Sequence, residues 1–281
     1  MRTYTRREFI AITATGAAAA AVAAACGGDD YGDDDKPSST ATLAPAGAAA
    51  TAASTVDAGE DNAAVGLRWF GQAMFVLTSP GGTTVLLDPF NDIGYTVPPP
   101  LNTDVATITH EHPDHNNAGL GGTATLFRGL TADGWTDLDE TVGDVRIRTV
   151  RTYHDDAQGA QRGRNSVFVF ETAGIRIAHL GDLGHQLDDQ QLGAIGNVDA
   201  LMVPVGGTFT IDAAGATAVT NALNPKMVFP MHYKTEKAGG SLATADAFLE
   251  GKTVQRVGST DLRLARADIP DTLTVYVLDY E

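Results

Sequence analysis

The chain has 281 residues, of which 43% are hydrophobic, so it can build the core of one large domain or two small ones. Its formal net charge of -16 disfavours nucleic acid as a partner, because the summed field would repel phosphates. The only cysteine is Cys26, which excludes an intrachain disulfide and leaves no thiolate ligand or thiol nucleophile for the rest of the chain.

Residues 1–26 have the pattern of an export signal. Arg6 and Arg7 precede an Ala-rich stretch that is short and weakly apolar for a membrane span. The arginine pair resembles a twin-arginine signal, which implies export of the folded protein to the periplasmic or cell-surface side. The segment ending at Cys26 resembles a lipobox, although Ala23 stands where leucine is usual. We expect Cys26 to be lipidated and to anchor the protein to the membrane; an ordinary cleavage site beside a cysteine is the alternative.

Residues 27–62 consist mainly of Asp, Gly, Ala, Ser, Thr and Pro. Such a segment buries too little apolar surface to offset its ordering entropy, so it is expected to be a disordered tether. Its acidic run has no ligand spacing and is interpreted as a solvated spacer.

From residue 63 onward, short runs rich in β-branched and aromatic residues alternate with Gly, Ser and Pro, a pattern typical of strands. The predicted strands are 67–70, 74–77, 83–87, 105–109, 145–150, 166–171, 175–180, 200–203, 227–229 and 273–278. The predicted helices are 189–195, 212–223 and 243–249, the second with Asp212 as its N-cap. This order predicts one α/β layered domain over residues 63–281.

The sequence His-Glu-His-Pro-Asp-His at 110–115 directly follows a predicted strand. In an extended backbone, residues two apart project to the same side, so His110 and His112 can bind one ion together. Pro113 suits the first position of a helix, and the turn would direct Asp114 and His115 toward a second cation. Three imidazoles and a carboxylate within six residues are typical of a metal site rather than of a hydrated polar loop.

Four more polar residues follow other predicted strands. These are Asp88, His154, Asp182 and His232. Groups of this kind at the carboxyl ends of several strands are what an active site at one sheet edge requires.

These motifs resemble the metallo-β-lactamase superfamily, whose signature is His-x-His-x-Asp-His followed by two further histidines and a bridging aspartate. Within it, the chain resembles metal-dependent hydrolases related to ascorbate-phosphate lactonases. The additional motifs that carry this resemblance lie at 87–90, 179–185, 203–209 and 230–235. The implied fold is a four-layered αββα sandwich, an α/β (α+β) architecture with its site at one edge of the paired sheets.

The resemblance also implies roles for individual residues. The first metal would be held by His110, His112 and His154. The second would be held by Asp114, His115 and His232, with Asp182 bridging both ions. Asp114, Asp182 and His185 are the expected catalytic residues.

Four residues near these motifs have more local expected roles. Asp88 is expected to support the ligand loop by hydrogen bonding. For His185, hydrogen bonding to substrate and a plain surface position are both open. His179 is expected to be structural. Asn165 is expected in a turn rather than in contact with substrate.

Together these features predict a hydrolase with two divalent metal ions, zinc or manganese rather than iron, and a metal-bridging hydroxide as nucleophile. The substrate would be a small molecule with an ester, lactone or phosphodiester bond, and an anionic one would suit the positive charge of the metals. Two alternatives remain: an iron-dependent redox or sulfur-chemistry member of the fold, and a non-catalytic metal-binding surface lipoprotein. The sequence predicts no oligomeric state.

Overall fold

The computed structural model describes residues 63–238 and 240–280. The predicted signal segment (1–26) and the predicted tether (27–62) lie outside the described residues. Within the described part of the chain, no helix is long and apolar enough to cross a membrane.

The described residues fold into two β-sheets. In chain order the strands are β1 Ala64–Gly71, β2 Met74–Thr78, β3 Thr84–Leu87, β4 Val105–Ile108, β5 Thr125–Arg128, β6 Asp139–Val142, β7 Val145–Tyr153, β8 Arg164–Thr172, β9 Ile175–His179, β10 Ala200–Pro204, β11 Met227–Met231, β12 Val254–Arg256, β13 Asp261–Ala265 and β14 Thr274–Val277. The first sheet has the order β13-β1-β2-β3-β4-β5, and the second has the order β12-β14-β11-β10-β9-β8-β7-β6.

Each sheet contains an antiparallel and a parallel part. In the first, β13, β1, β2 and β3 pair antiparallel, whereas β3, β4 and β5 run parallel. In the second, β6 to β9 are antiparallel, and β9, β10, β11, β14 and β12 are parallel. Parallel neighbours end at the same edge of a sheet, so the loops that follow β3 and β4 emerge side by side, as do those that follow β9, β10 and β11.

The core between the sheets follows from the period-2 alternation of the strands. Leu67, Trp69, Phe75, Leu77 and Leu87 of the first sheet pack in one apolar cluster with side chains of the second sheet. The intervening residues of the first sheet point to its other face. There they join a smaller apolar cluster under the loop after β3.

Three helices lie between strands of the second sheet in the chain order: α1 Asp189–Ile195, α2 Ala213–Leu223 and α3 Asp246–Leu249. Helix α1 packs against β7, and α2 packs against β10 and α3. Asp188 and Gln191 form a capping box at the start of α1, and the Asp212 carboxylate caps α2 by accepting from the backbone N–H of Gly215 at 2.8 Å. The outer face of the first sheet is covered by the loop after β3 and the 3₁₀ turn Ala118–Gly121.

The α/β sandwich predicted from the sequence is confirmed, with differences at individual elements. Four short strands were not predicted, namely β5, β6, β12 and β13. They are partly exposed edge or near-edge strands, so they lack a continuous apolar run. The turn expected after Pro113 is present, and in it the N–H of His115 donates to the carbonyl of His112 at 2.9 Å.

Candidate metal centre

The predicted ligands converge at the edge of the sandwich where several strands end. The motif at 110–115 follows β4, and Asp88 follows the neighbouring strand β3. From the second sheet, His154 follows β7, Asp182 lies just beyond β9, and His232 follows β11. The structure therefore brings together predicted metal ligands that are up to 122 positions apart in the sequence, from His110 to His232.

The first donor group consists of His110, His112, His154 and Asp182. Nε2 of His110 lies 3.1 Å from Nδ1 of His112, and Nε2 of His154 lies 3.0 Å from Oδ2 of Asp182. Two ligands on a tetrahedral metal with bonds of about 2.0–2.1 Å are roughly 3.4 Å apart. The separations in this group are close to that value.

The second donor group consists of Asp114, His115, Asp182 and His232. Nε2 of His115 lies 3.2 Å from Oδ1 of Asp182 and 3.4 Å from Oδ2 of Asp114. Nε2 of His232 lies 3.3 Å from Oδ2 of Asp182. Asp182 belongs to both groups, so its carboxylate has the position of a bridging ligand.

Unpaired buried atoms show that these residues fit a cation. Nε2 of His115 and Oδ1 of Asp182 are buried, and neither makes a hydrogen bond of good geometry to any described residue. The other ring nitrogen of His115 lies 2.8 Å from the Asp88 carboxylate, to which it donates. Without a metal, Asp182, Asp114 and Asp88 outweigh burial and raise the pKa of His115 well above its usual range, so the ring holds a second proton. A cation that displaced this proton would be bound by the Nε2 lone pair together with the carboxylate oxygens.

The carboxylates and histidines of the centre also shift each other's pKa values. Burial opposes ionisation of Asp182, but His115 and His232 outweigh it and hold the Asp182 pKa well below its usual range. Burial would lower the pKa of His232, but Asp182 and Asp114 raise it to about 9. A metal that binds these imidazoles must displace protons, so metal affinity at this group is expected to rise with pH up to that value.

Asp88 orients two of the histidines. Its carboxylate is fully buried and accepts from the N–H of Thr109 at 2.8 Å, the hydroxyl of Thr109 at 2.6 Å and Nδ1 of His115 at 2.8 Å. Because the Thr109 hydroxyl donates to Asp88, it accepts from Nδ1 of His110 at 3.0 Å. In the neutral form that can bind a metal, both His110 and His115 would therefore present an unprotonated Nε2 to the donor groups. This geometry agrees with the supporting role expected for Asp88.

Gln72 was not identified from the sequence. It lies in the tight turn between β1 and β2, and its side-chain amide donates to Oδ2 of Asp114 at 2.8 Å. Its carbonyl accepts from the backbone N–H of His232 at 3.1 Å. Gln72 thus ties two members of the second donor group to the first sheet. The Gly71-Gln72 pair signals a turn in the sequence, but nothing local reveals what the side chain contacts.

Asn165 holds the loop that carries Asp182. It lies within β8 rather than in the expected turn, and it is completely buried. Its side-chain oxygen accepts from the backbone N–H of Asp182 at 3.0 Å, and its NH₂ donates to the carbonyl of Leu180 at 2.9 Å and to Oγ1 of Thr152 at 2.8 Å. These bonds fix the loop in which Asp182 sits.

His185 hydrogen-bonds to backbone beside His154 and is not among the described residues that line the cleft. Its Nε2 accepts from the backbone N–H of Tyr153 at 3.1 Å, and its Nδ1 lies 2.8 Å from the carbonyl of Gln186. With both nitrogens engaged, the ring supports the strand end that carries His154, and the catalytic role expected for His185 stays a prediction. His179 agrees with its expected structural role: it is buried, and its Nε2 lies 2.8 Å from the carbonyl of Ala73.

Two glycines allow the close backbone contacts that the centre requires. A Cβ on Gly184 would lie 2.2 Å from the carbonyl carbon of His154, and a Cβ on Gly206 would lie 2.3 Å from the carbonyl oxygen of His232. Both distances are shorter than any ordinary contact with a backbone atom. Larger residues at these positions would displace a metal-binding histidine.

The donor groups open into a cleft of about 500 Å³, within the range of small-molecule sites. The described residues that line it are His112, Pro113, Asp114, His154, Gln161, Arg162, Asp182, Phe209 and His232. The cleft therefore combines metal-binding side chains with an apolar wall and one arginine.

Comparison with known proteins agrees with this centre. A family model described as the beta-lactamase superfamily domain matches residues 66–232. A UPF0173 metal-dependent hydrolase of Anaeromyxobacter dehalogenans is 30% identical over 227 residues, which cover 68% of this chain and 83% of the relative. A second such hydrolase, of Thermoplasma acidophilum, is 30% identical over 187 residues, 59% of this chain and 82% of the relative.

A solved structure from Thermotoga maritima is also similar. It is described as a candidate Zn-dependent hydrolase of the metallo-beta-lactamase superfamily. Its sequence is 35% identical and its TM-score is 0.61. The match covers 77% of this chain and 100% of the Thermotoga chain. The family match includes the strands and loops that supply all seven predicted ligands. From the fold, the geometry of the donor groups and these relatives, we conclude that the chain belongs to the metallo-beta-lactamase superfamily of metal-dependent hydrolases.

Proposed function

We propose that this protein is a dinuclear metal-dependent hydrolase that cleaves an ester, lactone or phosphodiester bond in a small molecule. The observation that carries the proposal is the position of Asp182, whose carboxylate belongs to two adjacent donor groups. One group offers three further imidazoles, and the other offers two imidazoles and a carboxylate. Such a pair of sites suits two divalent cations, with zinc or manganese favoured by the nitrogen and oxygen donors.

When bound, two such cations would lower the pKa of a shared water, so that it can attack at neutral pH, and would stabilise negative charge on the attacked group. The protein's own residues supply orientation. Asp88 holds two imidazoles in the tautomer that offers Nε2, Asn165 holds the Asp182 loop, and Gln72 holds Asp114. These bonds preorganise the centre before substrate enters.

The test is metal content measured together with turnover. Wild-type protein is expected to contain about two metal ions per chain by elemental analysis, and to hydrolyse at least one compound of an ester, lactone and phosphodiester panel in a chelator-sensitive way. Asp182→Ala should lose metal and activity together, whereas Asp199→Ala, a change of the same type at a carboxylate remote from the cleft, should keep both. Unchanged metal content and turnover in Asp182→Ala would contradict the proposal.

The same elemental analysis distinguishes the metals. Folded export would load the metal in the cytoplasm, which permits manganese where zinc would otherwise dominate. Protein purified through its native export route is therefore the correct sample. A pure zinc content would count against manganese, and an iron content accompanied by redox activity would support the alternative chemistry.

We further propose that the protein is exported and held at the membrane by a lipid on Cys26. The support is the sequence pattern of residues 1–26 and the long polar segment that follows it. Fractionation of cells that express the full chain should place wild-type protein with the membrane and Cys26→Ser in the soluble extracytoplasmic fraction. Equal membrane association of the two proteins would exclude the anchor.

A further inference from the structure

We propose that Arg162 is an anion-recognition residue, so that the cleft selects small molecules that carry a carboxylate or phosphate group. This inference rests on the proposed function, because it concerns the substrate of the same centre. Among the described residues that line the cleft, Arg162 is the only lysine or arginine. The other charged groups there are metal-binding side chains.

The backbone of Arg162 is held by a buried carboxylate. One oxygen of Asp155 accepts from the N–H groups of Ala157 and Gly159 at 2.9 and 2.8 Å. The other accepts from the N–H groups of Gln161 at 2.9 Å and Arg162 at 2.6 Å. Burial opposes ionisation of Asp155, but the four N–H groups outweigh it and lower its pKa. Residues 155–162 therefore form a tightly bonded loop rather than a loose surface segment.

The side chain of Arg162 is held from the opposite wall. Its Nη2 donates to the carbonyl of Thr208 at 3.0 Å, and its guanidinium carbon lies 6.0 Å from the ring centre of Phe209. Thr208 has a φ of 62°, a conformation that β-branched residues rarely adopt. Phe209 lines the cleft and is 48% exposed. Arg162 thus bridges two loops and lies against an apolar surface.

Arg162 has no acidic partner among the described residues, unlike Arg146 and Arg151, which pair with Asp139 and Asp137. Only Nη2 of its guanidinium donates to a carbonyl, that of Thr208. The other N–H groups of the guanidinium are therefore available to an oxyanion. An arginine without an acidic partner that is positioned by two loops and lines the cleft, in a protein of net charge -16, is the arrangement expected for binding an anionic ligand.

The test measures binding of non-hydrolysable probes to the metal-loaded protein by calorimetry. Benzoate and phenylphosphonate present the two kinds of anion, and benzamide is the neutral probe of similar shape. Arg162→Met should lower the affinity for both anions by about tenfold or more, as expected for loss of a charge-assisted hydrogen bond. It should lower the affinity for benzamide by less than about twofold. Arg162→Lys should be intermediate, because it keeps the charge and loses the fork. A loss confined to one anion would assign the cleft to that class.

Arg164→Met is the matched control. Arg164 lies two residues away, contacts the ring of Trp135 and does not line the cleft, yet its loss changes the net charge equally. It should leave anion binding unchanged. Wild-type anion affinity in Arg162→Met, or an equal loss in Arg164→Met, would overturn the proposal. Failure of the proposed function is a separate result: the hydrolysis panel would be negative while Arg162-dependent anion binding persisted.

Discussion

Replacement of Asp88 by asparagine changes the protonation of the metal-binding histidines without changing the size of the side chain. One carboxylate oxygen becomes an NH₂ donor. If that donor occupied the position of Oδ1, it would face the backbone N–H of Thr109, which cannot adapt. The donor is therefore expected at the position of Oδ2, where it faces the ring of His115 and the hydroxyl of Thr109.

Both neighbours can respond only by moving a proton. Nδ1 of His115 must become an acceptor, so that its Nε2 carries the proton and points at the carboxylates of the centre. The Thr109 hydroxyl, which now accepts from the introduced amide, must donate to Nδ1 of His110, with the same consequence for that ring. Each change removes a lone pair that a metal needs. Changes around ligating histidines typically cost 10–100-fold in metal affinity, roughly 1.4–2.7 kcal/mol.

The assay is metal affinity by competition with a chelator, followed by turnover at saturating metal. Asp88→Asn should bind metal about 10–100-fold more weakly and should recover part of its activity when metal is in excess. Asp104→Asn is the control, because Asp104 also accepts from a backbone N–H and a threonine hydroxyl, both of Thr84, but is exposed and remote from the cleft. Wild-type metal affinity in Asp88→Asn would refute the tautomer argument.

Three further changes test the groups that hold the centre. Gln72→Met removes the amide that restrains Asp114 and should weaken metal binding by about tenfold in the same chelator competition, with little change in melting temperature; a wild-type affinity would show that this hydrogen bond is dispensable. Asn165→Ala leaves buried backbone groups without partners and should lower the free energy of unfolding by about 3 kcal/mol in urea denaturation; a loss below about 1 kcal/mol would mean that water replaces the amide. Gly184→Ala should reduce metal content, because its Cβ would collide with the backbone of His154. The control Gly193→Ala lies in a helix with open space around it, so it should keep the metal and gain roughly 0.5–1 kcal/mol of stability. Equal metal content in the two proteins would contradict the steric argument.

The metal-ligand candidates were predictable because the signal for them is local: their side-chain types and their positions directly after predicted strands. A strand followed by the motif at 110–115 determines the direction of its first side chains through the backbone alone. His154, Asp182 and His232 were predictable by a weaker signal, polar residues just past apolar strands. The same reasoning left the role of His185 open, because its position in the sequence does not indicate that its ring accepts from the backbone N–H of Tyr153.

Residues that support the ligands were harder to predict, since their partners are distant in sequence. Gln72 is 42 positions from Asp114, and Asn165 is 17 positions from the N–H of Asp182. An amide in a turn or at a strand end has the same local pattern whether it faces solvent or a metal ligand. Only the packing of the two sheets brings these pairs within hydrogen-bond distance.

The amino-acid sequence by itself determined most of the strands and the kinds of atom available to a metal, because periodicity and side-chain chemistry are local properties. The tertiary structure alone decided which imidazole nitrogen faces the centre, which carboxylate belongs to both donor groups, and that Arg162 lines the cleft. Those features depend on contacts between loops of different strands. Hydrogen bonds and burial set them only after the sheets have packed together.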